Sequence, residues 1–280
     1  MNPANTTAAA PVIDVQQLVA DNDLGGRSPG PKVGLFLLGV ALAWSLFQLW
    51  IASPLPFTFG ILVFNDTESR AIHLAFAVFL AYLSYPAFKR SPRERVPITD
   101  WVLALLGAYC AAYLFLFYRE IASRPGNPTD MDIYTAVVGM VLLLEATRRV
   151  LGLPMVIVAL VFLGYTFGGR YMPDMIAHRG FSLSRAMSHQ WLTTEGVFGV
   201  ALGVSSGFIF LFVLFGSLLD KAGAGNYFIK SAFALLGHMR GGPAKAAVLS
   251  SAATGIISGS SIANVVTTGT FTIPLMKRVG

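Results

Sequence analysis

Four consecutive small residues, Ser258, Gly259, Ser260 and Ser261, stand at the centre of an uncharged stretch, residues 246–276, that holds ten Ser and Thr, three Gly and Asn264. Hydroxyls in this pattern can act as nucleophiles, as packing surfaces or as ligands. A serine nucleophile needs a base within hydrogen-bond reach, and the stretch contains neither His nor Lys, so a hydrolytic enzyme is not the expectation. Packing accounts for Ala247, Ser251 and Thr254, which recur at i, i+4 and i+7 on one helical face, because small residues let membrane helices approach closely. It accounts poorly for the Ser/Gly centre. A break in the helix there explains it better, and a break exposes backbone groups that bind ions and charged substrates.

The elements that must position such a break follow from length and charge. On either side lie two arms, residues 246–257 and 262–273. At ~1.5 Å rise per residue each arm is roughly 18 Å long, enough to reach the middle of a hydrocarbon core about 30 Å thick. Lys245 precedes the stretch and Lys277 and Arg278 follow it, which places both ends on one side of the membrane. The expected shape is a re-entrant helical hairpin with its tip near mid-membrane. Carbonyls ending the first arm suit a cation, and amides opening the second suit an anionic group. Ser261 can cap the second arm. Asn264, where a capping box has Glu or Gln, leaves the positive helix end free for an incoming carboxylate. Thr267 and Thr268 lie one turn further, and at least one can face the same cavity.

Composition sets the solvent. Hydrophobic residues make up 55% of the 280 and charged residues 12%, against a charged fraction of about 25% in soluble proteins. The apolar runs are of span length and repeat. The net charge of +6 comes from basic residues in short loops beside those runs, so it reports topology and not nucleic-acid binding. The single cysteine, Cys110, lies in an apolar segment and excludes an internal disulfide. Walker A, dinucleotide and HExxH patterns are absent from the sequence, so no organic cofactor and no metal beyond an ion at the tip is expected. His73, His178, His189 and His238 are far apart along the chain and read as packing, interfacial or loop residues. Glu145 reads as a helix-end carboxylate paired with Arg148 or Arg149 at i+3 or i+4.

In chain order, residues 1–31 read as a flexible cytoplasmic tail without the features of a cleavable signal peptide. Six apolar segments follow: 33–51, 71–88, 100–118, 133–147, 151–168 and 200–219, the third with Asp100 as its N-cap. Residues 152–154 form a tight turn between the fourth and fifth. Residues 169–199 are mixed and amphipathic, and 222–242 either lie along the interface or pack under the hairpin. With the N-terminus inside, fourteen of the twenty Lys and Arg fall on the cytoplasmic side, a positive-inside pattern. The fold class is therefore an all-α, multi-pass membrane protein with about six transmembrane helices before the hairpin at 246–276.

Several runs carry a family resemblance. HMRGGPAKAAVLSSAATGIISGSSIANVVTTGTFTIPLMKRVG, residues 238–280, is similar to the first re-entrant hairpin of the large membrane subunit of TRAP transporters. LEATRRVLGLP (144–154), TTEGVFGVALGV (193–204) and FLFVLFGSLLDKAGAG (210–225) resemble the fused, TAXI-associated permease, in which a four-helix small subunit precedes the large one. The resemblance implies 32–150 as the small-subunit-like part and 151–280 as the start of an elevator-type transport domain, first repeat only. A second, inverted repeat is then expected beyond residue 280, making this chain an N-terminal part. It further implies a sodium-coupled secondary transporter in the bacterial inner membrane, fed by an extracytoplasmic binding protein, carrying small organic anions such as carboxylates. Ser258, Gly259, Ser260 and Ser261 would contribute to the sodium site, and Asn264 would sit near the substrate, with Thr267 and Thr268 beside it. Membrane lipid is the remaining expected partner. The alternative is a non-transporting scaffold that anchors a partner, with the hairpin only packing.

Overall fold

The computed structural model describes residues 26–88, 90–257, 264, 268 and 269. Ser258, Gly259, Ser260, Ser261 and Thr267 lie outside the described residues, as does the 1–25 part of the expected tail.

The described chain is helical, with no strand among the described residues. Helix α1 (Pro31–Ala52) begins on a proline, which suits a first helical turn, and stops at Ser53, whose N–H and Oγ both bond the Trp50 carbonyl. A short α2 (Leu55–Phe59) follows. Helix α3 (Asp66–Ser84) opens with a capping box: the Asn65 side chain accepts from Glu68 N–H at 2.8 Å and the Glu68 carboxylate accepts from Asn65 N–H at 2.9 Å. Next come α4 (Ile98–Leu116), α5 (Tyr118–Ser123) and α6 (Asp130–Leu151), the last capped reciprocally by Thr129 and Asp132. Gly152, at φ 85°, ends α6 and opens α7 (Leu153–Gly168), so the tight turn expected there is present. The rest comprises a 3₁₀ turn (Gly169–Tyr171), α8 (Leu183–Trp191), α9 (Val200–Val204), a π turn (Ser205–Ile209), α10 (Phe210–Lys221), α11 (Ala224–Leu236) and α12 (Gly242–Ile257).

Two compact units form, one spanning Gly26–Phe212 and the other including the chain from Val213 on. The first has its core between α3, α4, α6 and α8, where Ala71, Val78, Tyr82, Ala104, Ala111, Ala136 and Trp191 are buried. Glycine permits the closest approaches. A methyl group at Gly107 would lie 2.7 Å from Val78 Cγ1, and one at Gly139 would overlap the Trp191 indole. Trp191 also donates from Nε1 to the Cys110 carbonyl at 3.1 Å, so α8 anchors the core of this unit. The junction expected between residues 150 and 151 falls inside the same unit. In the second unit α11 packs on α12.

Among the described residues four segments are long and apolar enough to cross a membrane: Pro31–Ala52, Ile98–Leu116, Leu153–Tyr171 and Val200–Leu219. The other two expected spans fall in α3 and α6. Asp66, Glu68 and Arg70 open α3, and Asp130, Asp132, Glu145, Arg148 and Arg149 flank the apolar centre of α6, which shortens the uncharged stretch of each.

At one end of the first unit the charges form a chain, its side chains buried at Arg27, Asp100 and Arg149 and half-buried at Glu145 and Arg148. Asp100 pairs with Arg27 through one oxygen and with Arg149 at 2.9 Å through the other. Glu145 pairs with Arg148 at 2.7 Å and Arg149 at 2.8 Å, the i+3 and i+4 partners expected. Asp100 is not an N-cap: Pro97 holds that position without a side-chain bond, and the carboxylate is drawn inward because the two guanidiniums there need a counter-charge.

Candidate functional site

The first arm of the expected hairpin is helical. It is α12, which starts four residues earlier than the expected 246 and runs to Ile257. Its buried hydroxyls satisfy themselves locally: Ser250 Oγ donates to the Ala247 carbonyl at 3.2 Å and Thr254 Oγ1 to the Ser250 carbonyl at 2.8 Å. Asn264 lies against this arm. Its Nδ2 donates to the Ser251 carbonyl at 3.0 Å, and Ser251 Oγ donates to Asn264 Oδ1 at 3.4 Å. In a straight helix thirteen residues would separate the two by roughly 20 Å. Thr268 Oγ1 in turn donates to the Asn264 carbonyl at 2.7 Å and is buried. Two of the seven candidate residues, Asn264 and Thr268, are thus brought together with Ser251, a residue read from sequence as packing.

A second polar cluster sits inside the first unit, and the sequence reading did not single it out. The Trp44 indole donates to His73 Nδ1 at 3.2 Å, the Gln48 amide reaches the same nitrogen, and Ser205 Oγ lies 3.4 Å from His73 Nε2. Gln48 and His73 are both buried. An indole N–H only donates, so Nδ1 is the unprotonated nitrogen of a neutral ring and Nε2 carries the hydrogen. The available signals were a Gln within an otherwise apolar span and the Ser205-Ser206 pair, which marks a π turn; such turns cluster at functional sites.

A third polar group lies at the start of α6, just before the expected span 133–147. Tyr113 Oη donates to Asp132 at 2.7 Å and Arg124 Nη2 to both its oxygens at 3.0 and 2.9 Å. Burial pushes the Asp132 carboxyl up, but the bonds from Tyr113 and Thr129 and the Arg124 charge outweigh it and hold the group below the ordinary carboxylate range. His178 is structural: its Nε2 bonds the Tyr165 carbonyl at 3.0 Å and its Nδ1 accepts from Gly180 N–H at 3.0 Å.

Long apolar helices mark a helical protein of membrane type. Residues 138–280 match the family described as "Tripartite ATP-independent periplasmic transporter, DctM component", and the chain belongs to that family. It is a family of secondary transporters and not of enzymes, and its members work with an extracytoplasmic substrate-binding protein at the inner membrane. Comparison with curated proteins and with solved structures gives no significant match.

Proposed function

We propose that this chain is the permease component of a sodium-coupled, binding-protein-dependent transporter of small carboxylates, spanning the inner membrane six times before a re-entrant hairpin at 246–276. The observation that carries the reading is the side chain of Asn264 bonded to Ser251 within the family-matched region. It supports two arms lying side by side, which is the arrangement a hairpin needs. On this reading Ser258, Gly259, Ser260 and Ser261 offer carbonyl and hydroxyl oxygens to sodium, as broken helices do. Asn264, Thr267 and Thr268 offer amide and hydroxyl donors to a carboxylate near the positive start of the second arm. Residues 32–150 act as the small-subunit-like part of a fused, TAXI-associated permease.

The test is uptake in proteoliposomes of the complete transporter with its binding protein. Ser260→Ala and Ser261→Ala are expected to raise the sodium concentration for half-maximal uptake by about tenfold each, the loss of one charged contact, with expression near normal. Wild-type sodium dependence in both variants would refute the assignment of the tip.

A further inference from the structure

One end of the first unit gathers more positive charge than it pairs internally. The start of α1, the end of α3, the start of α4 and the end of α6 meet there. Ser28 N–H bonds the Arg93 carbonyl at 3.0 Å, Gly30 N–H the Glu94 carbonyl at 3.1 Å, and Arg148 Nη2 the Ala87 carbonyl at 2.7 Å. Asp100 and Glu145 are taken up by Arg27, Arg148 and Arg149. Lys32, Arg90, Arg93 and Arg95 are exposed, and none of them forms an ion pair among the described residues. Glu94 is the one acid in the loop between α3 and α4. The bond from Gly30 holds Lys32 within about 14 Å of Glu94, Cα to Cα, so the four cations share one rim.

An apolar groove begins one helical turn below that rim. Phe36 follows Lys32 at i+4 on the same face of α1, and its ring packs against Phe79 and Trp101 with centroids 6.4 and 5.5 Å away. Phe36 and Phe79 line the near end of a cavity of about 410 Å³ between α1, α3 and α4, which continues along Val40, Ala75, Ala112 and Phe115. Every side chain that lines it is apolar. The alanines leave the space and the aromatic rings wall it. Phe36 stands five residues into α1 and Phe115 seventeen residues into α4, about 8 and 26 Å along their axes from the charged end. The groove is therefore roughly 18 Å long, close to one leaflet of a hydrocarbon core about 30 Å thick. A soluble anion would use the rim and leave the groove empty, whereas a phospholipid with an acidic head fills both.

We propose that this end of the first unit binds cardiolipin, with its two phosphates on Lys32, Arg90, Arg93 and Arg95 and one acyl chain in the groove between α1, α3 and α4. Four unpaired cations beside a single carboxylate suit a head with two negative charges better than one. Basic pockets between membrane helices hold such heads, and arginine adds bidentate bonds to phosphate oxygens.

The complete transporter, purified in detergent, is titrated with cardiolipin, phosphatidylglycerol, phosphatidylethanolamine and the deacylated, water-soluble head of cardiolipin, and binding is read by native mass spectrometry. Cardiolipin is expected to bind about tenfold or more tightly than phosphatidylglycerol, because its second phosphate engages further basic side chains. The double variant Arg93→Gln, Arg95→Gln, in an exposed loop, is expected to keep the wild-type melting temperature and lose that preference. Ala112→Phe, which fills the groove, is expected to weaken cardiolipin about tenfold and leave the deacylated head unaffected. Equal binding of cardiolipin and phosphatidylglycerol by the wild type, or a preference retained in the double variant, would overturn the proposal. Wild-type cardiolipin affinity in Ala112→Phe, or a deacylated head that binds as tightly as the lipid, would remove the acyl chain from the groove. If Ala112→Phe does not fold, the deacylated head alone decides that point.

Discussion

Asn264 makes two bonds to one residue, Ser251, where a single bond would have sufficed to orient it. An amide presents both a donor and an acceptor, so it can clasp a serine's carbonyl and hydroxyl together. On the proposed reading Asn264 lies near a substrate, and the geometry adds its attachment to the first arm. Other residue-scale roles depend on contacts across the core. Gly139 is small because the Trp191 indole occupies the place of its side chain. Gly139→Val is expected to destabilise the protein by about 1–3 kcal/mol, seen as a lower melting temperature in detergent with Trp191 fluorescence shifted toward that of exposed indole. For Asp132 the sign is set by its depressed folded pKa. Such a carboxylate contributes stability that is fully present above its unfolded pKa and lost as pH falls through the folded value. Melting temperature against pH is therefore expected to drop below the usual carboxylate range in the wild type. Asp132→Asn should show lower stability at neutral pH and a shallower acid drop.

At the scale of elements, the described part of residues 246–276 has Asn264 set on α12 at Ser251. Single cysteines introduced at Lys245 and at Lys277 are both expected to label from the cytoplasmic side with a membrane-impermeant maleimide. Cys110 is buried, which keeps the background low. Labelling of one of them only from outside would make the stretch a crossing helix and remove the hairpin. The Val200–Leu219 segment reads in sequence as one continuous span, yet it contains the π turn at Ser205–Ile209. Hydropathy cannot register that wide turn, at which Ser205 Oγ lies 3.4 Å from His73 Nε2 on a neighbouring helix. Helix α8 lies in a stretch that reads as mixed and amphipathic, and the structure shows which face is buried, that of Ala186, Met187 and Trp191, the last seated between Gly139 and Cys110.

For the whole molecule, transport is the function the family membership supports, and its test is energetic. Uptake by the complete transporter is expected to require both an inward sodium gradient and the cognate binding protein. Collapse of the gradient with a sodium ionophore should reduce uptake to background, and full activity without sodium would exclude the proposed coupling. The sequence by itself determined the solvent, the helical class, the turn at Gly152, the Glu145 pairs and the family, because these rest on composition, local spacing and near neighbours along the chain. Only the tertiary structure decided the rest. It turned Asp100 from a cap into the counter-charge of Arg27 and Arg149, gathered Trp44, Gln48, His73 and Ser205 into one cluster, and set Asn264 on Ser251. In each case the partners lie from 13 to 132 residues apart. What a buried polar group bonds to is settled by which helices meet, and no local pattern along the chain records that.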